Sequence, residues 1–67
     1  MSKATDTILE IISTKGADLR QSDMEQIEEL IVDIPLDDAP RDMGMIYEGI
    51  AMVVNDPLYE GDIPPIS

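Results

Sequence analysis

"RDMGMIYEGIAMVVND", Arg41 to Asp56, decides how this chain is read: it has the spacing of a helix but is apolar nearly all the way round. A helix on the surface of a soluble domain shows one apolar stripe and one wet face. On a helical wheel Met43, Ile46, Tyr47, Ile50 and Val54 cluster, with Val53 at the edge, as a core-facing stripe. Met45, Gly49 and Met52 gather on the other side, with Glu48 as their charged neighbour. Gly44 and Gly49 each cost a helix interior roughly 1 kcal/mol relative to alanine, so each needs a reason, such as close approach of another backbone. Methionine is unbranched and adaptable, and is over-used on surfaces that meet partners. Met45, Gly49 and Met52 are therefore read as a contact stripe, unless the C-terminal tail or another helix covers them.

The flanking sequence supplies the rest of an all-α fold: a small three-helix arrangement with a Pro-rich extended C-terminal tail. The third helix is expected over about Ala39 to Val54, capped by Asp37 or Asp38, with Pro40 in its first turn and Asn55 at its C-terminal end. A first helix is expected from about Ala4 to Thr14, with Ala4, Ile8, Ile11 and Ile12 on one face and Leu9 at its edge. Lys15 suits the negative end of that helix, and Gly16 suits a positive-φ cap. A second helix begins at "SDME", with Ser22 as N-cap and Glu25 completing a capping box. Its stripe is Met24, Ile27, Leu30, Ile31 and Ile34, and Pro35 ends it. Residues 1–56 are read as one domain. Residues 57–67, "PLYEGDIPPIS", carry three prolines and read as a tail that could lay Leu58, Tyr59, Ile63 and Ile66 on the body.

Sixty-seven residues without cysteine or histidine leave no disulfide and no zinc site of the usual kind. A chain this short buries only ~60% of its unfolded surface and often needs a further staple or a partner. The charge is lopsided. Residues 1–20 sum to zero, whereas residues 21–67 hold twelve acids against Arg41 and carry the whole −11. Such a chain does not grip phosphates, which need Lys and Arg, so direct nucleic-acid binding is not expected. Anionic membranes repel it too. The N-terminal stretch lacks the pattern of a signal peptide and no stretch approaches a membrane span, so a cytoplasmic location is the expectation.

No arrangement of residues carries a reaction. Counted from Asp33, a calcium loop would need glycine sixth and glutamate twelfth, where this chain has Asp38 and Gly44. Without His, Cys or a Gly-rich phosphate loop, nucleophilic and phosphoryl-transfer schemes lack parts. The expectation is a non-enzyme with no metal and no cofactor.

What remains is surface. Glu25, Glu28, Glu29, Asp33, Asp37, Asp38 and Asp42 fall within eighteen residues whose only base is Arg41. Glu25/Glu29 and Glu29/Asp33 are like-charge i, i+4 pairs, which cost a helix a few tenths of a kcal/mol each. They suggest docking on a basic surface of another protein, against the plainer alternative of solubility. Size and charge resemble the small acidic inhibitors that bacteriophages make against host enzymes, some of which mimic DNA; the resemblance is of composition alone. The other expected role is a structural or adaptor subunit of a homodimer or larger assembly, joined through the Met stripe.

Overall fold

A computed structural model describes residues 2–59. Among them are three α-helices and no strand: α1 (Lys3–Lys15), α2 (Gln21–Ile31) and α3 (Ala39–Val54), with a 3-10 turn, Gly16–Asp18, between the first two. The all-α reading holds, and α3 has the bounds its sequence implies. No described helix is long and apolar enough to cross a membrane.

Each boundary has a local cause. The Ser2 hydroxyl accepts the Thr5 N–H at 3.1 Å and starts α1. Gly16 ends it at φ 50, ψ −125, a backbone state that a Cβ would strain, and its N–H donates to the Ile12 carbonyl. The start of α2 corrects the sequence reading. Arg20, not Ser22, is the N-cap, and Asp23, not Glu25, is the acid three residues on: its carboxylate accepts the Arg20 N–H at 3.0 Å. Asp23 also lies 4.0 Å from the Lys15 ammonium, which ties the start of α2 to the end of α1. The other end of α2 stops at Ile31, short of Pro35, as Asp33 and Ile34 donate back to Leu30 and Ile31. At α3, neither Asp37 nor Asp38 supplies the expected side-chain cap. Asp38 is the N-cap residue in helical conformation, and Pro35 accepts the Asp38 and Ala39 N–H groups instead. Asn55 is the C-cap as expected.

The helix at the centre is α1. Both α2 and α3 pack on it, and their own backbones make no close approach to each other. Lys15 near Asp23 makes α1 and α2 an antiparallel pair. Thr5 beside Asp42 and Ile12 beside Gly49 make α3 run parallel to α1. The short turn folds α2 back on α1, and the α2–α3 connection returns the chain to α1, so α1 and not α3 is the helix that both others pack on.

The core is Ile8, Ile12, Leu19, Ile27, Ile34, Ile46, Ile50 and Val53. On α3 the buried line is Asp42, Ile46, Ile50 and Val53, and Tyr47, placed in the stripe by the wheel, is half exposed. On α2 only Ile27 is fully buried, with Met24, Leu30 and Ile31 packed partly against the core. After α3 the chain turns rather than extending: Leu58 N–H donates to the Asp56 carboxylate at 2.8 Å and Tyr59 N–H to the Asp56 carbonyl at 2.9 Å. Tyr59 packs on the core, whereas Leu58 is exposed. Ile63 and Ile66 lie outside the described residues.

Candidate functional site

The acidic set expected to form one face is divided by the fold. Glu25, Glu28, Glu29, Asp33 and Asp37 are exposed, and Asp38 is partly so. Glu25 and Glu29 stand on the side of α2 away from Ile27, because i, i+4 residues share a face. Asp33 lies beyond the end of α2, so Glu29/Asp33 is not a pair within a helix. Asp33 and Asp38 instead border a groove of about 470 Å³ with Ser2, Lys3, Thr7 and Leu30. Arg41 sits 3.6 Å from Asp38.

Asp42 is the correction. It was placed with the acidic surface, but its side chain is fully buried, so it offers nothing to a partner. It is held by the start of α1. The Thr5 hydroxyl donates to Oδ2 at 2.8 Å and the Ser2 N–H to the same oxygen at 3.2 Å. The Arg41 guanidinium lies 3.4 Å from Oδ1. Since Thr5 spends its one proton on the carboxylate, the 2.8 Å contact between the Ser2 and Thr5 hydroxyls has Ser2 as donor. The result is a chain from Ser2 through Thr5 to Asp42. The Thr5 hydrogen bond is the largest influence on the carboxyl and holds it below its usual value; burial pushes the other way, and Ser2 and Arg41 add to the lowering. Asp42 stands in the first turn of α3 and beside the start of α1, where both helix dipoles favour a negative charge. Both its oxygens are occupied by protein donors. The group therefore joins two helices from a buried position.

No sequence signal singled out Thr5, which lies fully buried in α1. A polar residue between Ala4 and Ile8 reads as helix surface until its partner from α3 is known.

The Met stripe is also divided. Gly49 faces α1: a Cβ there would meet the Ile12 side chain at 3.6 Å and Leu9 at 3.9 Å. Gly44 faces open space, with nothing within 4 Å. Neither glycine marks close approach of a second backbone within the chain. Met45 is partly buried and Met52 is 72% exposed. Beside Met52 lies a groove of about 400 Å³ between α1 and α3, bordered by Leu9, Ile12, Ala17, Gly49, Val53 and Asp56.

Two exposed aliphatic residues went unnoticed in the sequence. Val32, 80% exposed, and Leu36, 91% exposed, stand in the α2–α3 connection among Asp33, Asp37 and Asp38. A lone Leu in "PLDD" reads as turn filler, and Val32 reads as the end of a helical stripe. Both become prominent only because α2 stops at Ile31.

Among the described residues no group of three or more acidic side chains could hold a metal ion. Comparison with known protein families, with curated proteins and with solved structures gives no match.

Proposed function

We propose that this chain is a small, non-catalytic protein-binding protein that docks on a basic surface of another macromolecule and blocks or modulates it, in the way of an acidic inhibitor. The observation that carries this reading is the pair Val32 and Leu36, exposed in the α2–α3 connection that also carries Asp33, Asp37 and the Arg41-paired Asp38. Protein interfaces draw most of their energy from a few apolar anchors, and charge complementarity around them raises the on-rate and selects the partner. Acid alone would serve solubility; exposed aliphatic anchors among acids favour a partner with an apolar recess rimmed by Lys or Arg. A DNA-mimicking variant of this reading would rest on the carboxylates alone.

Capture from the source cell, with the wild type and with Leu36→Ser and the triple Glu25→Gln, Glu28→Gln, Glu29→Gln variant, tests it. The expected result is one basic partner that Leu36→Ser loses and that the triple variant binds with a slower, less salt-dependent on-rate. A partner bound equally by both variants would remove this surface from consideration. The alternative, a structural subunit of a homo-oligomer, draws support from a different region, the groove beside Met52.

A further inference from the structure

We infer that Met52 is a reversible oxidation site, at which a neutral peroxide converts the thioether to a sulfoxide while the three-helix fold stays intact. This goes beyond the acidic-face reading and uses none of its residues.

The first argument is chemical. The chain has no cysteine, histidine or tryptophan, so a two-electron oxidant meets no thiol, imidazole or indole. What it meets are the thioethers of five methionines. A net charge of −11 repels anionic oxidants but not hydrogen peroxide, which is uncharged. In the reaction a sulfur lone pair attacks one peroxide oxygen, the O–O bond breaks, and the other oxygen leaves with both protons as water. Sulfur gives up two electrons and the peroxide takes them. Thiol-dependent methionine sulfoxide reductases restore the thioether: the sulfoxide oxygen leaves as water while two thiols become a disulfide.

The second argument is access. Met24, Met43, Met45 and Met52 lie among the described residues. Met24 and Met43 pack against the core and Met45 is partly buried, whereas Met52 is 72% exposed. Oxidation follows exposure, so the fold singles out one thioether of these four.

The third argument is tolerance. A sulfoxide is polar and disrupts a core when it forms inside one. At Met24 or Met43 the new oxygen would stand against buried aliphatic side chains; at Met52 it stands in water. The neighbours that hold this part of α3 to α1, Ile50 and Val53, are buried and carry no sulfur. What changes is the groove between α1 and α3. Met52 is its one exposed apolar border residue, beside Leu9, Ile12 and Val53. Oxidation makes that border polar, and reduction makes it apolar again.

The test adds hydrogen peroxide to the full chain and follows peptides cut at Lys and Arg by mass spectrometry. Met24 falls in residues 21–41, and Met43, Met45 and Met52 fall in 42–67, where fragmentation separates them. Met1 leaves in its own peptide, 1–3, outside the comparison. The expected result is that Met52 gains its oxygen several-fold faster than Met24, Met43 and Met45, and that all four react alike in denaturant. The protein oxidised at Met52 alone keeps its helical spectrum and melting midpoint, and the reductases return its mass. Met52→Leu keeps the fold and loses the fast phase. Oxidation of Met52 no faster than of the packed methionines overturns the inference. So does a preference that survives in denaturant, which would be set by adjacent residues and not by the fold. A midpoint that falls when Met52 alone is oxidised, or a sulfoxide that the reductases leave in place, overturns it as well.

Discussion

The helices α2 and α3 both lean on α1, and they do so by different means. One fully buried side chain, Ile27, anchors α2, which carries its carboxylates on the outside. Four residues bury α3, and one of them, Asp42, is an acid. The contrast shows two ways for a strongly acidic chain to remain folded. On α2 the charges stay in water, where repulsion costs little. On α3 a carboxylate enters the interior only with donors at both oxygens, because a buried charge without partners is far costlier than one at the surface.

The largest expected effects come from the two anchors. Ile50→Ala removes a fully buried side chain from α3 and is expected to cost about 2–5 kcal/mol, a large part of what so small a domain has. Ile27→Ala makes the same chemical change in α2. Because the backbone of α2 lies close to that of α1 alone among the helices, the expectation is loss of amide exchange protection in α2 ahead of α1 and α3. If all three helices lose protection together in Ile27→Ala, α2 is not the separately held element described above.

Next comes the acid itself. The Asp42 carboxyl is held below its ordinary value of 3.8, so its contribution is complete above that value and is lost as pH falls through the lower folded value. Asp42→Asn should lower the melting midpoint at neutral pH, and the gap between the two proteins should narrow on acidification below 3.8. Melting curves from neutral to strongly acid pH check this, and a gap independent of pH would mean that the negative charge contributes nothing. Thr5→Val should lower the midpoint at neutral pH as well, since it removes the principal donor.

A smaller effect separates Gly44 within α3 from Gly16 at the end of α1. Gly44→Ala meets nothing within 4 Å and should gain about 1 kcal/mol from helix propensity alone. Gly16→Ala, at φ 50, should instead lose stability. Denaturant midpoints decide both, and a neutral Gly44→Ala would mean that this position is already constrained by something outside the monomer. The smallest effect is expected on α2: Glu29→Gln relieves the i, i+4 repulsion with Glu25 and should stabilise by ~0.2–0.5 kcal/mol at low salt, vanishing at high salt.

These comparisons also mark how far the residues alone lead. The limits of α3 are legible because Pro40 suits a first turn and Asn55 a helix end, while the expected aspartate side-chain cap takes no part. Gly16 was legible for the same reason. The start of α2 lies two residues before its expected place, with Arg20 and not Ser22 as N-cap, because two acids, Asp23 and Glu25, each fit a capping box and Asp23 is the one that accepts the Arg20 N–H. Of the candidate surface, Glu25, Glu28, Glu29, Asp33 and Asp37 are outward as expected, the three glutamates because hydrophobic periodicity in α2 leaves them no other side. Asp42 and Gly49 are not.

By itself the sequence determined three helices, their approximate ends, the exclusion of disulfide and Cys/His zinc chemistry, and the crowding of negative charge after residue 20. These follow from local propensity and from counting. Only the tertiary structure decided that α1 is central, that Asp42 lies inside against Thr5 and Ser2, that Gly49 faces Ile12, and that Val32 and Leu36 stand in solvent. A helical wheel gives the direction of each side chain but not what lies in that direction. The neighbour is set by how two short connections return α2 and α3 to α1, and no single turn of helix contains that information.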